Sequence, residues 1–160
     1  MPNTKATGVA YSDPEFESVS VTGAAAVTGA VTAASVTATG AVSAASVSGT
    51  TVTASGTLVL KTATVAAAGT NQGTAAAVTA GFTLVSAADG TKGVILPTAV
   101  PGAVVVIKNG AAAILKIYPA SGAAINAVAA NGSYDIASLT STILVAYSAT
   151  QWYSVPLLAS

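Results

Sequence analysis

From Val19 to Leu60 a Val-Ser/Thr-Ala/Gly step recurs without one charged residue, and no other stretch constrains the fold so strongly. The steps begin at Val21, Val27, Val31, Val36, Val42, Val47 and Val52, and Leu58 extends the series. Neighbouring apolar positions lie four to six residues apart, and alternate ones, such as Val21 and Val31 or Val42 and Val52, are ten or eleven apart. That spacing suggests two short strands per turn of a repeating ribbon. A helix would need apolar residues at i, i+3, i+4 and i+7, and the density of Val, Thr, Ser and Gly disfavours it. As strand, each step supplies one β-branched residue for a core, one hydroxyl for the opposite face, and one small residue where the backbone bends.

A single ribbon of this kind cannot pay for its own order. Fixing one five-residue step costs about 5 to 10 kcal/mol of backbone entropy, whereas burying one Val returns roughly 1.5 to 2 kcal/mol. A lone ribbon also leaves its sheet edges open. Three ribbons around one axis answer both problems, because the valines meet at the centre and the strand edges pair between chains. The stretch therefore predicts an intertwined, trimeric β-shaft, a triple β-helix or a prism, with Val21, Val27, Val31, Val36, Val42, Val47, Val52 and Leu58 as its core. A disordered linker would share the Ala, Gly, Ser and Thr, but linkers do not keep a branched apolar residue in step. Frequent Gly and Ala argue against a dry, aggregating zipper.

Composition narrows the function. The net charge is zero, there is no arginine, and the five lysines are scattered, so no basic patch invites nucleic acid. Only 6% of residues are charged, so the surface must be Ser, Thr, Ala and Gly or be covered by neighbours. Mean hydropathy is positive, but alanine supplies much of it and no run of about 18 apolar residues suggests a membrane span. Met1 to Thr7 lacks an apolar signal core, which leaves export by that route unsupported. Cysteine and histidine are both absent, which excludes disulfides, thiolate metal sites and the commonest general base.

Four segments follow. Residues 1–18 hold four of the ten charges together with two aromatics and two prolines, and Tyr11, Asp13, Pro14 and Phe16 suit an extended hook that seats aromatic side chains in a partner's pockets. Residues 19–60 form the shaft and residues 61–77 a linker. From 78 to 160 the pattern is that of a small antiparallel β-sandwich or barrel, so the whole chain is expected to be all-β. Apolar runs at Phe82–Val85, Gly93–Leu96, Val104–Lys108, Ile114–Tyr118, Tyr134–Ile136, Ile143–Tyr147 and Trp152–Val155 are separated by turn signals, with Asn109-Gly110 the clearest hairpin.

Ile95 to Gly110, with its Leu-Pro, Pro-Gly turn, Val-rich strand and Asn-Gly, resembles a module of structural proteins of tailed bacteriophages. Ile117-Tyr118-Pro119 through Gly122 to Ile125-Asn126 and the closing Gln151-Trp152 continue the likeness, which covers roughly residues 78–156. Such modules occur in head fibres, capsid decoration or cement proteins and some tail fibres. The resemblance implies a virion protein without catalytic residues to carry over.

Beyond the hook the carboxylates are Asp89 and Asp135 alone, and no serine is marked as a nucleophile. The expected function is therefore structural, with no enzyme activity and no cofactor: a homotrimer on the capsid surface of the virion, gripping the major capsid protein through residues 1–18. The alternative is a short fibre whose distal domain binds a host receptor or glycan, Tyr118, Tyr134, Tyr147, Trp152 and Tyr153 being candidates for stacking on sugar; a core or a trimer interface is the more usual place for such residues and the favoured reading of these five. An ice-binding or adhesive solenoid would also use regular hydroxyls, but it needs export. Light scattering of the purified chain at micromolar concentration should give the mass of three copies; the mass of one would sink the shaft.

Overall fold

The structure, a computed structural model, describes residues 28–44, 46–49 and 51–156. Tyr11, Asp13, Pro14 and Phe16 of the expected hook, and Val21 and Val27 of the expected shaft, lie outside these residues. The described residues fall into two units divided between Val52 and Thr53. In the first, no strand ladder forms within the chain, and the valines stand bare.

The second unit is all-β, a solenoid-like stack of two sheets. Ten strands follow in chain order: β1 Thr62–Ala66, β2 Ala76–Ala77, β3 Phe82–Ser86, β4 Gly93–Ile95, β5 Val104–Asn109, β6 Leu115–Tyr118, β7 Ala124–Ile125, β8 Tyr134–Ile136, β9 Ser141–Ser148 and β10 Gln151–Pro156. The only helical turn among the described residues is the 3-10 turn Gln72–Thr74. Successive strands alternate between the sheets: β1, β3 and β5 pair in parallel in a six-stranded sheet, while β2, β4 and β6 pair in parallel in a four-stranded one. Each coil takes roughly 20 residues, the size of the repeat units that stack in solenoids. The chain then reverses. β8 closes the four-stranded sheet against β6, and β9, β10 and β7 extend the other in the order β1-β3-β5-β9-β10-β7.

The core lies between the sheets. Val85, Ile107, Leu144 and Trp152 point inward from one sheet and meet Val94, Leu115, Ile117 and Ile136 from the other, almost all without solvent contact. The alternation that the sequence shows in these runs puts every second residue inside. The Cβ of any residue other than Gly at position 93 would lie 2.7 Å from the Lys116 carbonyl and the Tyr118 ring, so glycine is what lets β4 lie this close to β6.

Three sequence expectations are corrected. The expected sandwich or barrel is not antiparallel: five of its eight strand pairings are parallel, because consecutive strands cross between sheets instead of folding back. Residues 61–77 are no linker but the first coil. β1 reads Thr-Ala-Thr-Val-Ala and pairs along its whole length with β3, and Val65, its one large inward residue, is too little to announce a core strand. And Asn109-Gly110 is not a hairpin. β5 lies beside β3 and β9, β6 lies in the other sheet, and Gly110 runs on along β3 with its N–H donating to the Val85 carbonyl at 2.7 Å. Its Cβ would approach that carbonyl to 3.2 Å and Leu84 Cδ1 to 2.9 Å, so the glycine serves close backbone approach.

Asn109 is fully buried and acts as a latch. Its Nδ2 donates to the carbonyls of Ala113 at 2.8 Å and Ala137 at 3.0 Å, and its Oδ1 accepts from the Ala111 N–H at 3.0 Å. One side chain thus joins the β5–β6 crossing to the β8–β9 loop. Asn109→Ala leaves two part-buried carbonyls without donors and the Ala111 N–H without its acceptor, and should lower stability by ~2 kcal/mol. Chemical denaturation checks this, and a loss under ~0.5 kcal/mol would mean that the two loops hold themselves.

Candidate functional site

Among the described residues the surface offers two bare apolar regions and few charged groups. In the repeat, Val31, Val36, Val42, Val47 and Val52 are each between 67% and 80% exposed. Leu58 and Val59, in the second unit, are exposed to 75% and 85%. All described members of the predicted shaft core are therefore uncovered in the single chain.

The second region is the outer face of the six-stranded sheet, which the sequence reading did not single out. Register builds it. Phe82 of β3 lies beside Val106 of β5, Val106 beside Ile143 of β9, and Ile143 beside Val155 of β10. The next row runs Val104, Val145, Tyr153. Tyr147 stands beyond it, its ring edge-on to Tyr153 with centroids 5.8 Å apart and planes at 64°. Leu84 completes the patch beside Lys108, whose Nζ donates to the Leu139 carbonyl. A signal for this face was present: Val104 to Ile107 and Ile143 to Val145 are apolar at consecutive positions, the mark of strands covered on both sides.

The five aromatics divide. Trp152 is wholly buried between the sheets, and Tyr118 is buried with its hydroxyl donating to the Thr70 carbonyl at 3.1 Å. Tyr134 packs half-buried against the core. Only Tyr147 and Tyr153 remain on the surface, so a sugar platform built on Trp152 is overturned, and truncating that residue would report on folding rather than binding. The Trp152 Nε1–H has no hydrogen-bond partner among the described residues.

Both carboxylates among the described residues are engaged in local structure. Asp89 Oδ1 accepts from the Thr91 hydroxyl at 2.7 Å, the Thr91 N–H at 2.9 Å and the Lys92 N–H at 3.0 Å, closing the turn that Gly90 completes at φ +90°. The Thr91 hydroxyl, helped by those two amides and the Lys92 ammonium 3.1 Å from Oδ2, holds this carboxyl well below the usual range. Asp135 accepts from Lys116 Nζ at 2.9 Å and from the Ser133 hydroxyl at 2.8 Å. The bond to Asp135 raises the Lys116 ammonium's pKa against a small opposing desolvation. Among the described residues no group of three or more His, Cys, Asp or Glu could hold a metal ion, and no helix is long and apolar enough to cross a membrane.

An open recess of about 300 Å³ lies along the edge where β1, β3 and β5 begin, lined by Val78, Gly81, Pro97 and Val104 with Lys61 beside them. It is mostly apolar and presents no pair of groups that could share a proton. Comparison with protein-family models, with curated proteins and with solved structures finds no match to this chain.

A carboxyl whose pKa falls on folding stabilises the fold above its unfolded value of about 3.9 and loses that contribution only as pH drops through the lower folded value. Asp89 should therefore remain ionised at about pH 3 in the folded chain and titrate in the ordinary range in urea. Carbon NMR of its carboxyl checks this, and Thr91→Val should move the folded value upward.

Proposed function

We propose that this chain is a structural virion protein, a trimeric capsid decoration or head-fibre protein that binds the capsid surface through its amino terminus and stabilises the shell. The observation that carries this reading is the uncharged ladder of bare valines, at least two-thirds exposed from Val31 to Val52. So many branched side chains left in water in fixed step are accounted for by a fold completed between chains. The resemblance of residues 78–156 to phage structural modules supplies the setting.

Its action is mechanical. The repeat interlocks three copies, the hooks of residues 1–18 engage the major capsid protein, and residues 53–156 project from the shell. Three hooks on one trimer raise one another's effective concentration, so weak single contacts sum to a durable grip. The chain takes no cofactor and catalyses no reaction in this reading, in keeping with Asp89 and Asp135 each being bound up in a local turn or ion pair.

The alternative, a short fibre with a receptor-binding tip, keeps the exposed Tyr147–Tyr153 pair but loses Trp152 to the core. Edge-to-face packing presents one ring at a time, a poor platform for a sugar chain.

Deleting residues 1–18 should abolish decoration of undecorated capsids while the mass of three copies persists in light scattering. Truncated protein that still sediments with capsids would place the grip elsewhere.

A further inference from the structure

We infer that the outer face of the six-stranded sheet is a second contact between copies of this chain, distinct from the valine ladder. This rests on the reading that copies assemble, and it adds where within residues 53–156 they meet.

Four observations carry it. The face is apolar across adjacent strands, with Phe82, Leu84, Val104, Tyr147, Tyr153 and Val155 each between 38% and 73% exposed. Together with the half-buried Val106, Ile143 and Val145 they present on the order of 600 Å² per copy, at the upper limit of what monomers leave bare and close to the ~800 Å² that each partner contributes to a standard interface. Second, the face carries almost no charge. Its one ionic group, Lys108, stands at the margin with its ammonium on the Leu139 carbonyl, so nothing there selects a charged partner. An identical neutral face is a matching occupant, because three such faces set around the axis of a trimer each cover part of the next, as the sides of a prism, and bring their β-branched and aromatic rows together.

Third, the face is continuous with the end of the repeat. Leu58, Val59 and Leu60 lead directly into β1, the edge strand of this sheet, and the Leu60 side chain lies against Gly81, next to Phe82. Fourth, the recess along the edge where β1, β3 and β5 begin shares Val104 with the face, so the apolar surface extends into a concavity able to take a neighbour's side chain. Copies held together by the repeat would meet this face at high effective concentration, so modest apolar contact suffices to close it.

The test uses the full-length chain with a photocrosslinking residue, Tyr153→benzoylphenylalanine, and the same residue at Lys92 in the exposed Asp89 turn as a control. Irradiation of the purified protein should give covalent adducts of this chain with itself at least tenfold more efficiently from position 153 than from position 92. Adding Val145→Lys, an outward change that should leave the circular dichroism intact, should cut that adduct severalfold. An assembled protein that yields no more adduct from position 153 than from position 92 overturns this contact while leaving the ladder-based assembly in place. A chain that light scattering finds monomeric overturns the assembly reading and the face with it.

Discussion

The second unit depends on two inward rows of side chains that bury one another. Each sheet alone would leave one row of Val, Ile and Leu in water, and neither short strands such as β2 and β7 nor the alanine-rich loops between them could hold a sheet unaided. Stacked, Val85, Ile107, Leu144 and Trp152 close against Val94, Leu115, Ile117 and Ile136, and besides the sheet edges the crossings between sheets are where the backbone must find new partners. The chain meets that need with amides and hydroxyls, not charges. Asn109 joins two loops. Asn126, at φ +53°, joins β7 to β10 by accepting from the Ser154 N–H and donating to its hydroxyl, while its own carbonyl accepts from Gln151 Nε2. Asn131 Oδ1 accepts from the Gly122 N–H and Gln72 Nε2, tying the first coil to the loop before β8.

This economy explains how a chain with so few charges remains ordered in residues 62–156. Neutral latches carry no Born penalty when buried, and each satisfies several backbone groups. The two carboxylates among the described residues serve local structure at the surface, Asp89 in a turn and Asp135 in a pair with Lys116 on the neighbouring strand, where ion pairs alone contribute little. The same economy leaves the outer sheet face and the valine ladder without a charged rim. Their apolar character is then the chief physical property these surfaces offer, and association is the process in which such a property is used.

Much of the fold was legible. Seven of the strands coincide with apolar runs, because alternation along a strand and Gly, Asn or Pro at its ends are properties of sequence neighbours. β1, β2 and β7 were not legible, since a lone Val65 among Ala and Thr, two alanines, and a two-residue strand with Ile125 are each too little to mark a run. Asn109-Gly110 misled for a related reason: an Asn-Gly pair marks a hairpin only if both residues are free to form the turn, and here the asparagine faces inward and the glycine lies against β3. Trp152 lies in the core, the favoured place for such an aromatic, although its residue type alone left a sugar platform open as the alternative. The exposed sheet face was half visible, as consecutive apolar residues in Val104 to Ile107 that one buried face cannot absorb.

The sequence by itself determined that the chain is β-structured, nearly chargeless, free of cysteine and histidine, and built from a repeat followed by a strand-rich domain. These follow from composition and from periods of two to eleven residues, which no folding changes. Only the tertiary structure decided that the sheets are largely parallel, that residues 61–77 belong to the fold, and that one sheet face remains bare. Strand pairing joins residues about twenty positions apart through backbone groups that every residue shares, so side-chain pattern alone does not encode it.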